Sequence, residues 1–394
     1  MKPIKQKTSQ PVIREIMAEF ASETGLSPAS SAPRRYLWTD AFAVCNFLGL
    51  YQATGGKEFK DLALELVDQV HGTLGRHRGD DSRTGWISGL DEEQGRKHPT
   101  RGGLRIGKYL QERRPSEPFD QDLEWDRDGQ YYHYLTKWMH ALSCVSKATG
   151  DITYNTWAVE LGKTAHARFV RTSRYGGRKT MYWKMSIDLS RPLVPSMGQH
   201  DPLDGWVTYN ELQATGAKED EGSTQKDLRA EILDMAHMCQ GRSWVTADPL
   251  GIGGLLFDAC RMAQLIASGS LEQTDLLESL LESSQIGLES FVRENSLGLP
   301  ADYRLAFREL GLSIGLRALE IIRELVDKTS GPFRNKKSLD SLLNNLDKHV
   351  GLREIIESFW LEGKNRKTGI YITHHDINEV MLATSLAPNG FLEL

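Results

Sequence analysis

One pattern constrains this chain more than any other: a helix that is apolar nearly all round, a glycine stop, then an amphipathic helix. The stretch Leu37–Thr54, LWTDAFAVCNFLGLYQAT, places Phe42, Val44, Cys45, Phe47, Leu48 and Leu50 around most of its circumference. Such a helix is buried on every side. It stops at Gly55-Gly56, and Phe59–Leu74 follows with Leu62, Leu64, Leu66, Val67, Val70 and Leu74 and charges between, an amphipathic helix with one wet face. The same order returns at Gly129–Thr149, stopped by Gly150 and followed by Asp151–Val170. ATGGKEF and ATGDITY occupy the same place in the two units. The repeat therefore predicts helical hairpins, each with one inner and one outer helix.

Weaker copies continue the plan: Asp204–Thr215 with Gln225–Cys239, Gly251–Ser268 with Leu271–Val292, Ala301–Asp327 with Leu339–Trp360, and His375–Leu386 with the N-terminal Val12–Ser22. Six such hairpins predict an all-α (α/α)6 toroid. An open solenoid is the alternative, but it would leave a polar concave face where these inner helices are apolar. The whole chain, 1–394, is then a single domain. Insertions at about 75–124 and 171–201 each precede an inner helix and are placed on one rim.

The net charge of −5, from 48 Lys and Arg against 53 Asp and Glu, argues against a nucleic-acid or anionic-membrane binder. No window reaches the ~18 apolar residues of a membrane span, and the N-terminus lacks a signal-like apolar run. A cytoplasmic protein is expected. The four cysteines show no zinc-ligand spacing and read as reduced, buried residues. No metal and no cofactor are expected. Gly251-Ile252-Gly253-Gly254 follows no strand and lacks the GKS/T ending of a nucleotide loop.

Chemistry concentrates where the inner helices begin. Those stretches contain Trp38 and Asp40; Trp125, Asp126 and Asp128; His200, Asp201, Asp204 and Trp206; Asp248; Asp302 and Arg304; and His374, His375 and Asp376. A single Asp at a helix start is what capping alone requires. The second and third starts carry two carboxylates each, with an aromatic and a histidine beside them: Trp125 with His133, and Trp206 with His200. Flat rings stack on the C–H face of a pyranose, and carboxylates and imidazoles bind its hydroxyls. Paired carboxylates also divide into acid and base.

Trp38–Phe59 and Asp126–Asp151 resemble the first two hairpins of the six-hairpin glycosidases, nearest to unsaturated glucuronyl hydrolases. That resemblance implies a glycoside hydrolase acting on a small carbohydrate or oligosaccharide, with Asp128 as general acid/base and Asp126 or Asp201 as its partner. Trp38, Asp40, Trp125, Tyr132, His133, His200, Asp204 and Trp206 would line the sugar site. Arg304 and the basic Arg76–Arg114 loop would suit an acidic sugar, although a salt bridge from Arg304 to an Asp such as Asp302 explains that residue equally. N-acylglucosamine 2-epimerases and sugar isomerases share the fold class and use histidines as acid and base. His200, His374 and His375 would suit that alternative. A third reading is a toroid that binds a glycan or a protein without catalysis.

Overall fold

The computed structural model describes residues 6–172, 177, 179–217, 227–329 and 331–394, with side chains from residue 10 onward except that of Ala217. Parts of two expected features, Ser173–Gly176 with Arg178 of the second insertion and Gln225 and Lys226 of the third outer helix, lie outside the described residues. The chain is predominantly helical, with a few strands of two or three residues. The packing divides into two compact units. One comprises residues 21–51 and 55–240, the other 1–20, 52–54 and 241–394.

In the first unit the inner helices are Leu37–Thr54, Tyr132–Thr149 and Asp201–Ala217. Ile152–Phe169 packs on the second of these and Arg229–Cys239 on the third, while Lys57–Leu74 follows the first after the Gly55-Gly56 stop. Leu37–Thr54 is buried along almost its whole length, as its all-round apolar surface requires. It stops at Gly55, whose φ of 70° is the left-handed turn that glycine adopts without strain. Gly150 ends the second inner helix in the same way, at φ 73°. Asp151 then caps the next helix by accepting the Thr153 N–H. Tyr132–Thr149 packs against both Ile152–Phe169 and Asp201–Ala217.

One boundary differs from expectation. The second inner helix begins at Tyr132 rather than Gly129, because Gln130–Tyr131 pairs antiparallel with Lys184–Met185, which pairs in turn with Pro192–Val194. Gly129, at φ 150°, lies so close to this sheet that a Cβ would sit 2.7 Å from the Met185 carbonyl. The second insertion is thereby stitched to the start of the second inner helix. Val170–Thr172 and Lys179–Met181 form a separate antiparallel pair.

In the second unit Pro249–Ala267 packs on Thr274–Glu294 and on Ala306–Lys328. Ala306–Lys328 also packs on His375–Leu386. The outer stretch expected as one helix, Leu339–Trp360, is two: Lys336–Asp347 and Leu352–Leu361. The inner–outer hairpin plan behind the (α/α)6 expectation is thus present in both units. Pro249–Ala267 corrects one exclusion: its length and mean hydropathy of 1.3 would allow a membrane crossing. Its apolar surface is instead mostly buried among helices, as an inner position demands.

Candidate functional site

The expected acid/base residue, Asp128, is held by arginines and backbone amides. Its carboxylate is fully buried. One oxygen accepts from Arg78 at 3.2 Å and Arg105 at 3.0 Å, the other from the N–H groups of Gly107 and Gly129 at 3.0 Å each. Both oxygens are thus engaged, by two guanidiniums and two amides. Asp126 is exposed. Asp40 accepts the Tyr36 N–H at 2.9 Å and lies 3.5 Å from Arg35, so it serves its own helix start. Tyr132 and Trp206 are buried within the helix packing rather than lining an opening. The Tyr132 hydroxyl donates to the Tyr209 hydroxyl at 3.0 Å.

The basic first insertion is largely neutralised from within. Arg83 pairs with Asp81 and Glu112, Arg113 with Glu124, and Arg127 with Glu117. A depression of about 590 Å³ beside Asp128 is lined by Arg34, Arg78, Arg105 and Lys108, but Arg78 and Arg105 already hold Asp128.

A different part of the same unit collects His133, Asp201, Asp204 and Trp38. His133 lies in the first turn of Tyr132–Thr149, and Asp201 and Asp204 in the first turn of Asp201–Ala217. His133 Nδ1 stands 4.0 Å from Asp201 Oδ1. Among the described residues neither His133 Nδ1 nor Asp201 Oδ2 has a hydrogen-bond partner, although both atoms are buried; the same is true of Trp38 Nε1. Asp204 is engaged: Oδ2 accepts from Thr136 at 2.5 Å and from Lys137 at 2.8 Å.

Aromatic rings surround the imidazole. Trp183 stacks on His133 at 5.9 Å with an interplanar angle of 15°, Tyr131 lies at 5.3 Å, and Tyr134 and Trp38 present edges at 4.9 and 6.1 Å. Trp125, half exposed, meets Trp183 edge-on at 5.2 Å. The Tyr36 and Tyr134 hydroxyls hydrogen-bond to each other at 2.6 Å.

These surroundings set the protonation states. Burial, followed by the neighbouring Asp204, raises the Asp201 carboxyl to about 7, against a weaker pull from the Gly198 N–H and Lys137. Burial and then the Lys137 ammonium lower the His133 imidazole to about 4, with Asp204 opposing them. Between those values Asp201 keeps its proton while His133 is neutral. The pair is therefore an uncharged acid beside an uncharged base.

The sequence reading missed Tyr131, Tyr134, Thr136 and Lys137, and placed only the insertion that carries Trp183 on the rim. The run Tyr131-Tyr132-His133-Tyr134 is the one local signal. The pairing that carries Trp183 to it has no signature in either segment.

His200 is half-buried one residue before the third inner helix, where its carbonyl accepts the Asp204 N–H. The remaining expected residues belong to the second unit. Arg304 is buried, binds Glu309 through two nitrogens at 2.8 and 2.6 Å, and covers the Phe359 ring at 3.7 Å. This corrects both expectations for Arg304: Glu309, in the first turn of the next helix, takes Nε and Nη2, and the Leu297 carbonyl takes Nη1, so its guanidinium is turned to neither a sugar carboxylate nor Asp302. His374 packs edge-on against Phe307 at 5.6 Å, and His375 lies 3.7 Å from Asp376.

No protein-family model matches the chain, and no curated protein matches it. Solved structures that align with it include a sugar epimerase from a ruminal bacterium, at 13% identity and a TM-score of 0.43, covering 80% of this chain and 75% of that one. The cellobiose 2-epimerase of Spirochaeta thermophila DSM 6192 aligns at 13% identity and a TM-score of 0.46, covering 97% and 99%.

Proposed function

We propose that the chain is a carbohydrate-active enzyme of the epimerase or isomerase type, in which Asp201 and His133 move a proton beside a sugar carbonyl. The observation carrying this reading is the pair itself: a buried carboxyl that keeps its proton to about pH 7, 4.0 Å from a neutral imidazole, each with an unpartnered polar atom. In this scheme His133 removes the proton on the carbon next to the carbonyl while Asp201 gives its proton to the developing oxyanion; the enediol then becomes a carbonyl again as His133 returns its proton to carbon and Asp201 takes one back from a hydroxyl. Trp183 and Trp125, the more exposed rings of this cluster, offer faces and edges to the sugar.

Hydrolysis is the less favoured reading because it needs an ionised carboxylate free to act beside the acid. Asp128 is held by two arginines, and Asp204 by Thr136 and Lys137.

Asp201→Asn and His133→Gln test the assignment against a panel of free aldoses, ketoses and disaccharides. Each substitution is expected to lower kcat by about 10²–10⁴-fold, the usual contribution of a positioned acid or base. Wild-type turnover by both variants would refute the assignment. Release of an aglycone from glycosides, abolished by Asp201→Asn, would return the chain to hydrolysis.

A further inference from the structure

Away from that site, in the middle of the same unit, three metal-ligand side chains meet. Cys45 lies on the inner helix Leu37–Thr54, and His140 and Cys144 lie one turn apart on Tyr132–Thr149. One ligand atom from each falls within 4.8 Å of the other two. His140 Nε2 is 3.6 Å from Cys144 Sγ. The other imidazole nitrogen, Nδ1, faces the Glu211 carboxylate at 3.0 and 3.1 Å. Glu211 projects from the third inner helix, so all three inner helices of the unit contribute.

We propose that Cys45, His140 and Cys144 bind a thiophilic metal ion of the zinc class, with Glu211 as the residue that orients the imidazole. Three observations converge on it. The first is distance. An ion about 2.3 Å from sulfur and about 2.0–2.1 Å from nitrogen sets a tetrahedral S–N edge of about 3.5–3.6 Å. The His140–Cys144 separation has that length. The second is the outer contact. Metal-bound histidines commonly turn their second nitrogen to a carboxylate, which fixes the ring and the tautomer. The third is charge and access. Cys45 and His140 are wholly buried, Glu211 is 1% exposed and Cys144 7%. A substrate cannot reach such a cluster, which argues against a Cys–His nucleophile. A divalent ion captured as the chain folds would displace the two thiol protons and be neutralised by the resulting thiolates. Lys147, 3.9 Å from Glu211, offsets the remaining carboxylate.

The test is refolding of the full chain, anaerobically, with Zn(II) or with Co(II) as a spectroscopic probe. The expected result is about one ion per chain after dialysis, and for Co(II) a thiolate charge-transfer band in the near ultraviolet. X-ray absorption of the unmutated zinc form should show two sulfurs at about 2.3 Å and a nitrogen at about 2.0 Å; this readout needs no variant to fold. Cys45→Ala and Cys144→Ala should abolish the band, and Cys239→Ala should leave it intact. Glu211→Gln should weaken affinity by about 10–100-fold without moving the band. Zinc below about 0.1 per chain would overturn the proposal. So would a cobalt band unchanged by Cys45→Ala and Cys144→Ala, or a metal-free chain two thiols short because Cys45 and Cys144 have joined as a disulfide.

Discussion

At the scale of single residues the account rests on two side chains displaced in opposite directions. A carboxyl with a raised folded-state value binds its proton more tightly when folded. Its contribution to stability is complete below about pH 4, the ordinary carboxyl range, and is lost as pH rises through about 7. His133 works the other way. Its lowered value makes folding more favourable as pH rises from about 4 to about 6.5. Comparing the wild type with Asp201→Asn isolates the first effect: the variant should gain on the wild type by an order of 1–3 kcal/mol between pH 4 and 8, read by chemical denaturation. A constant difference across that range would mean that Asp201 ionises normally. Gly198 adds a steric check. A Cβ there would meet the Asp201 carboxylate at 2.5 Å, so Gly198→Ala should cut turnover by at least about tenfold while leaving helix content unchanged, as a displaced catalytic group does. The sequence shows Asp201 and His133 beside helix starts, but it also shows Asp128 in an equally suggestive place. What distinguishes Asp128 from Asp201 is its set of partners, two arginines from the first insertion and the Gly107 and Gly129 amides, none of which the sequence ties to it.

At the scale of elements, the inner helices are the most legible part of the chain, because all-round apolarity and a glycine stop are local signals. Leu37–Thr54 and His375–Leu386 match their expected bounds. The short strands that bring Trp183 to His133 were invisible, since two-residue pairings leave no periodicity. The Gly251–Gly254 run, set aside as a nucleotide loop, has a packing role. A Cβ on Gly253 would sit 2.1 Å from the Gly311 carbonyl, and one on Gly315 would sit 2.6 Å from Gly253 Cα. These glycines let Pro249–Ala267 and Ala306–Lys328 touch backbone to backbone. Gly253→Ala should therefore destabilise by about 1–3 kcal/mol or more through overpacking, measured by thermal or urea unfolding. A neutral effect would show that the two helices do not approach so closely.

At the scale of the whole molecule, composition correctly described an ordinary chain of mixed charge, and the hairpin plan runs through both compact units. The first insertion shows what composition concealed. Its basic excess is spent on internal ion pairs and on Asp128, which fastens Arg78 and Arg105 against the start of the second inner helix. Asp128→Ala would leave two guanidiniums without their buried partner and should cost about 3–5 kcal/mol, seen as a fall in the unfolding midpoint. An unchanged midpoint would return Asp128 to consideration as a reactive group. The most direct test of the central claim is solvent exchange: the unmutated protein incubated with free sugars in deuterated water near pH 5.5, with deuterium at the carbon beside the carbonyl followed by NMR. The account predicts deuterium entering recovered substrate and epimer with the wild type, and at least about 10²-fold more slowly with Asp201→Asn or His133→Gln. Exchange at the wild-type rate in both variants would contradict it.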